Sequence, residues 1–157
     1  MTLAILRSHQ LFVKMEKCSF GEQEVKYLGH VINHEGVAVD PEKISIMIEW
    51  PKPSTLKTLR GFWGLTRYYR KFIQNYDKIA PSLTNMLKRG CFKWNTCSEA
   101  AFEELNKAMT RAPVLALPDF SKTFIIECDA VGSGVGGVLM QEKRLIAFFS
   151  HSLKGKN

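Results

Sequence analysis

Apolar and polar positions follow two different periods along this chain. In residues 59–76, LRGFWGLTRYYRKFIQNY, a turn of 100° per residue sends Leu59, Phe62, Trp63, Leu65, Thr66, Tyr69, Phe72, Ile73 and Tyr76 into one arc. That is the stripe by which a helix faces a core. Arg60, Arg67 and Lys71 gather on the other side, with Gly64 one turn from Arg60. A glycine inside a helix costs ~1 kcal/mol against alanine, and its missing side chain lets a bulky partner approach the backbone. One face suits a core and the other an anion, although charge alone would equally serve to solvate an exposed face.

Around this stretch the pattern predicts the remaining elements. The first forty residues read as β structure, with one strand at 10–14 alternating around Leu11 and Val13 and a second at 25–32; Gly21-Glu22 and residues 33–36 supply turn chemistry. Asp40-Pro41 reads as an N-cap followed by proline at the first helical position, with Ile44, Met47 and Ile48 on one face. Trp50-Pro51-Lys52-Pro53 ends that helix, and Ser54 is expected to cap the long one. Residues 77–81 interrupt it before a shorter helix carries Leu83, Met86 and Leu87 to a stop at Gly90. Thr96 with Glu99 predicts a capping box for a further helix packing through Phe102, Leu105 and Met109. Beyond Pro118 the period falls to two, and 124–129, 135–141 and 145–150 read as three antiparallel strands.

Composition adds the partner. At 157 residues with 45% apolar and 24% charged content, the chain is globular, with room for one ordinary domain or two small ones. It has no run of eighteen apolar residues, and its N-terminus shows neither a basic leader nor a small-residue cleavage site, so no membrane partner is expected and an intracellular location is. The formal charge of +7 is unevenly spread: residues 52–93 hold ten cations against one acid, Asp77. Such asymmetry, interleaved with Trp63, Tyr68 and Tyr69, points to a polyanion and suits nucleic acid. A basic amphipathic helix also binds membranes or partner proteins, but here the apolar arc is broad enough to be needed internally. Cys18, Cys91, Cys97 and Cys128 form no C-x-x-C pair, and His30 and His34 fall in a strand and turn, so free thiols and ordinary histidines are expected.

The order of these segments carries a resemblance. Residues 16–43, 59–90, 92–130 and 134–150 resemble consecutive stretches of gypsy-type LTR retrotransposon reverse transcriptase, the RNA-directed DNA polymerase of a transposable element. The resemblance implies an α+β fold: a small β-hairpin palm remnant, a helical thumb, and a partial three-stranded antiparallel RNase H-like sheet. It divides the chain into the end of the palm (1–39), the thumb (40–93), a connecting helix and linker (94–120) and a truncated RNase H-like domain (121–157). Tyr27, Leu28, Gly29 and His30 then resemble the primer-grip region, and Arg60, Gly64, Arg67 and Lys71 the thumb surface that tracks a duplex. A thumb must let any sequence slide past, which calls for phosphate contacts rather than base readout.

The chemistry of that family needs carboxylates converging on a pair of magnesium ions. The polymerase tyrosine-x-aspartate-aspartate motif is expected upstream of Met1, and the sequence has no Asp-Asp pair. For RNase H the resemblance implies Asp129 as the first catalytic and metal-binding acid, followed here by Ala130-Val131 where the family has Ala-Ser, with the other acids expected later in the fold. Glu142 lies in the next turn, and Glu127 is expected to point to the opposite sheet face from Asp129 or to depend on a bulge. No cofactor is therefore expected for the chain alone, against Mg2+ in the complete enzyme. Gly132 to Gly137 matches G-x-G-x-x-G, but strands rather than a helix come after it, so a glycine-rich hairpin is expected instead of a dinucleotide site. The expected function is non-specific binding of RNA/DNA or DNA duplex by a fragment with incomplete polymerase and RNase H sites. The alternatives are a docking piece that needs a partner chain, such as the remainder of a Pol polyprotein, and a clipped portion of an active polymerase.

Overall fold

The computed structural model describes residues 2–131 and 134–153. Two antiparallel sheets flank a helical layer. The first sheet is a meander of β1 (Glu24–Tyr27), β2 (His30–Asn33) and β3 (Gly36–Val39), paired in that order. The run 25–32, expected as one strand, is broken by a two-residue turn at Leu28 and Gly29, both at positive φ (49° and 76°). That backbone matches the right-handed twist of a hairpin, and glycine takes it without strain. The expected strand at 10–14 does not form. Residues 2–8 are a helix, α1 (Thr2–Ser8), and the segment after it is irregular, with Phe12 98% exposed. Alternation around Leu11 and Val13 has no partner strand among the described residues to satisfy its backbone.

Helix α2 (Pro41–Ile48) starts where expected: the Asp40 carboxylate accepts from the Glu42 amide, with Pro41 in the first turn. Only Met47 of its expected apolar face is fully buried; Ile48 is exposed. In α3 (Leu56–Tyr68) the cap is Thr55, one residue past the expected Ser54, because Thr55 and Thr58 satisfy each other's amides reciprocally. A one-residue shift also occurs at α6 (Thr96–Thr110), where Asn95 and Ser98 form the box in place of Thr96 and Glu99.

The stretch 59–76 is not one helix. After Tyr68 the chain makes a 3-10 turn at Arg70–Phe72, extends at Ile73, and passes through the left-handed region at Asn75 (φ 58°) before α4 (Tyr76–Ile79) and α5 (Pro81–Met86). Asparagine tolerates that conformation better than most residues. The apolar arc survives the break: Leu59, Phe62, Thr66, Tyr69, Phe72, Ile73 and Tyr76 are at most 4% exposed, and the apolar ones pack with Met47, Leu83, Leu105 and Met109 in one core. Trp63, expected in that core, is only half-buried.

The C-terminal sheet joins β4 (Ile125–Val131), β5 (Gly134–Gln141) and β6 (Arg144–Ser152) in chain order. Gly132 and Ser133 of the glycine-rich motif lie outside the described residues; from Gly134 the chain runs on as strand β5, as expected. A backbone staple ties both sheets to the core. Val37 and Leu115 exchange both amide hydrogen bonds (2.7 and 2.9 Å), and the Ala116 amide donates to the Leu145 carbonyl. Gly36 makes the first contact possible, since a Cβ there would lie 2.0 Å from the Leu115 carbonyl oxygen.

Candidate nucleic-acid interface

Three of the expected cationic-face residues sit together on α3. Arg60, Gly64 and Arg67 are exposed, and nothing lies within 4 Å of where a Gly64 side chain would start, so the bare backbone faces open space. The Arg67 guanidinium lies over the Trp63 ring, 4.8 Å from its centre. This contact explains the position of Trp63: the indole forms the flank of the basic face and holds Arg67 in place. None of Arg60, Arg67, Arg70 and Lys71 is in an ion pair among the described residues, whereas Lys52 is neutralised by Glu99.

Lys71 is not on that helical face. It belongs to the 3-10 turn after α3, where its ammonium acts on His30 at the hairpin turn of the first sheet. There the sequence-predicted residues Tyr27, Leu28, Gly29 and His30 stand against the end of α3. Tyr27 and Leu28 are exposed at the tip, while His30 is buried with its ring 5.4 to 5.7 Å from those of Tyr68, Tyr69 and Phe72. Burial holds His30 below its ordinary pKa of 6.5, and the Lys71 ammonium lowers it further. The ring donates from Nδ1 to the Leu28 carbonyl at 3.1 Å. Two further donors reach the turn from α3's end: the Tyr68 hydroxyl to the Leu28 carbonyl and the Tyr69 hydroxyl to the Gly29 carbonyl, both at 2.8 Å. The turn and the cationic helix, separate in sequence, therefore form one surface. Sequence reasoning placed Tyr69 in the core and Tyr68 among the aromatics, and missed that they bind the turn. The adjacent tyrosines and a glycine in a turn were the available signal.

The acids of the C-terminal sheet are arranged differently from expectation. The β4–β5 register runs without a shift from Ile125↔Met140 to Val131↔Gly134, so Glu127 and Asp129 share a face. Alternate residues of an unbulged strand return to the same side. That face is turned towards the start of α4: a Cβ on Gly136, the partner of Asp129, would stand 3.5 Å from Asn75 Oδ1. Glu127 and Asp129 line a hollow there with Gln74, Asn75 and Lys78. Among the described residues no three His, Cys, Asp or Glu side chains are grouped to hold a metal ion. Two carboxylates facing a lysine do not fit a magnesium pair, which needs several hard oxygen ligands for each ion.

Comparison with known proteins decides the family. The chain is 46% identical over 127 residues to an uncharacterized mitochondrial protein of Arabidopsis thaliana, covering 80% of each. It is 38% identical over 151 residues to the retrovirus-related Pol polyprotein from transposon 297 of Drosophila melanogaster, and 36% over 155 residues to that from transposon gypsy. Residues 94–157 match the family model of the RNase H-like domain found in reverse transcriptase. Residues 94–157 belong to the family of RNase H-like domains found in reverse transcriptase, and nearly the whole chain is similar to a stretch of retrotransposon Pol polyproteins. Those two alignments take in 94% and 90% of the chain but only 14% and 15% of the polyproteins. The fold agrees with these matches. It matches foamy viral protease-reverse transcriptase dRH in complex with double-stranded DNA at a TM-score of 0.84 and 23% identity, covering 98% of this chain and 28% of that one. The same viral protein in complex with RNA/DNA hybrid matches at 0.79, again at 23% identity, covering 89% and 20%. Among the described residues no helix is long and apolar enough to cross a membrane.

Proposed function

We propose that this chain binds template-primer duplex without sequence preference, as a gypsy-type reverse transcriptase fragment of palm end, thumb, connecting helix and RNase H-like sheet. The observation that carries this function is that the Tyr68 and Tyr69 hydroxyls bind the Leu28–Gly29 turn to the end of α3, the helix whose exposed side holds Arg60, Arg67 and the bare Gly64 backbone. Cations around a gap in a helix accept a phosphate backbone, and no side-chain pair on that face is arranged to read base edges. Asp129 has the place of a first RNase H acid, but the acids on its face do not make a metal site, so neither polymerisation nor hybrid cleavage is assigned to the chain by itself. Fluorescence anisotropy with two unrelated duplexes, as DNA and as RNA/DNA hybrid, tests the function. Equal affinities falling steeply between about 50 and 200 mM salt are expected; affinity indifferent to salt would overturn it.

A second function is favoured by a specific observation. Leu3, Ile5, Leu11, Phe12, Met15 and Phe20 are all at least half exposed, and every described side chain of β4 is exposed along an edge unpaired among the described residues. We propose that a partner chain, such as the rest of a Pol polyprotein, covers these surfaces. Sedimentation of the chain with and without that partner separates docking from duplex binding alone.

A further inference from the structure

We propose that Tyr69 is a positioning residue that sets the Leu28–Gly29 turn at a fixed height beside α3, so that the turn and the helix cations meet one duplex together. The inference rests on the duplex-binding function proposed above. Each carbonyl of the turn accepts two hydrogen bonds. The Leu28 oxygen accepts from His30 Nδ1 and from the Tyr68 hydroxyl; the Gly29 oxygen accepts from the Asp40 amide at 3.0 Å and from the Tyr69 hydroxyl. The first donor of each pair is local to the meander and the start of α2, and the turn itself is closed by the Tyr27–His30 pair of β1 and β2. The second donor of each pair comes from forty residues away and adds only a fixed relation to α3.

Gly29 is shaped for this contact. Its φ of +76° disfavours a side chain, and a Cβ would stand 2.4 Å from the Tyr69 hydroxyl oxygen. A glycine required twice over, once by the turn and once by a tyrosine from another element, marks a deliberate close approach. Tyr69 is 1% exposed, so it cannot touch nucleic acid itself and acts through the turn. Burial pushes its hydroxyl up to about 12, with the neighbouring Tyr68 and Asp40 adding to the effect, so it stays a donor throughout the ordinary pH range. On the outer side of the same turn Tyr27 and Leu28 face solvent, where a duplex held by Arg60 and Arg67 would pass.

Tyr69→Phe is the test, because it keeps the buried ring and leaves the Gly29 carbonyl bonded to the Asp40 amide. The full chain, labelled with 15N, is titrated with a DNA duplex. Expected are an affinity about two- to tenfold weaker, the worth of one hydrogen bond, and unchanged perturbation of Arg60, Gly64 and Arg67 with loss of perturbation at Leu28 and Gly29. Without duplex, amide exchange at Leu28, Gly29 and His30 should rise. Wild-type affinity with the same perturbation of the turn would overturn the positioning role alone. A wild-type chain that binds no duplex would overturn the proposed function, and this inference with it. Should Tyr69→Phe fail to fold, Gly29→Ala, whose Cβ would stand 2.4 Å from the Tyr69 hydroxyl oxygen and displace it, must show the same loss of perturbation at the turn; wild-type perturbation there would overturn the proposal.

Discussion

His30 is where burial, charge and hydrogen bonding meet most directly. Its ring lies among Tyr68, Tyr69 and Phe72, its Nε2 is buried without a partner among the described residues, and Lys71 is the cation near enough to disfavour its protonation. The charged facing groups are thus Lys71 and, across Tyr69, Asp40. Because the folded pKa lies below the ordinary 6.5, the unfolded chain binds more protons between the two values. Stability from neutral His30 is complete above about pH 6.5 and is lost as pH falls through that window towards the folded value. Urea melts at about pH 7.5 and 5.5, on either side of the ordinary histidine value, should show the chain weaker at the lower pH, and His30→Phe should reduce that difference; an unchanged difference would remove His30 as its source. Trp63 makes a second residue-scale contrast. As a half-buried ring under Arg67, its replacement by alanine should cost clearly less than Phe62→Ala, for which a core aromatic predicts about 3 to 5 kcal/mol. Thermal melts of the two variants decide it.

At the scale of elements, the basic face separates from the core cleanly enough to be changed alone. Arg67→Glu with Lys71→Glu should weaken duplex binding at least about tenfold and flatten its salt dependence, while melting close to the parent, since exposed substitutions usually cost within about 0.5 kcal/mol. Anisotropy and a thermal melt measure both arms, and a lowered melting temperature with unchanged affinity would contradict it. Much of this was legible in the sequence. The arc from Leu59 to Tyr76 named seven buried residues, with Trp63 and Leu65 only partly buried, and alternation placed β4, β5 and β6 within a few residues. Other features depended on contacts that no local pattern carries. The caps moved by one residue because Ser, Thr and Asn are all competent acceptors, and only the reciprocal bonds of Thr55 with Thr58 and Asn95 with Ser98 distinguish them. Where the helix ends, after Tyr68, the Tyr69 hydroxyl reaches a carbonyl forty residues earlier. That break also took Lys71 off the helical face and gave it to the turn. Glu127 was a simpler matter: a two-residue spacing in an unbulged strand already places it on the face of Asp129.

For the whole molecule the decisive feature is the short segment between α6 and the second sheet. Leu115 is 2% exposed in the core, pairs with Val37 of β3, and precedes an amide that holds β6 at Leu145. The Arg144 guanidinium reaches the Glu35 carbonyl across the same junction, and the Asp77 amide donates to the Ser150 hydroxyl on the other side of β6. The two sheets are thus joined through one strand-like strap, and its geometry depends on Gly36. With φ at +143° and the Leu115 carbonyl 2.0 Å from any added Cβ, Gly36→Ala cannot be absorbed by a rotamer change, because the obstacle is backbone. It must push Leu115 out, exposing two unpaired amides and a core leucine, each worth on the order of 1 to 3 kcal/mol. Gly21→Ala is the control: its φ of +69° is also positive, but nothing lies within 4 Å, so the substitution brings only local strain of about 1 kcal/mol. Gly36→Ala should therefore melt well below Gly21→Ala, and hydrogen exchange should speed up at Val37, Leu115 and Ala116 together. Because Ala116 also holds Leu145, the loss should spread into β6 although Gly36 belongs to the other sheet. Exchange confined to the first sheet, with β6 as protected as in the parent, would mean that the strap carries no coupling and that the C-terminal sheet is held by its packing on α4 and on the 3-10 turn at Arg70–Phe72.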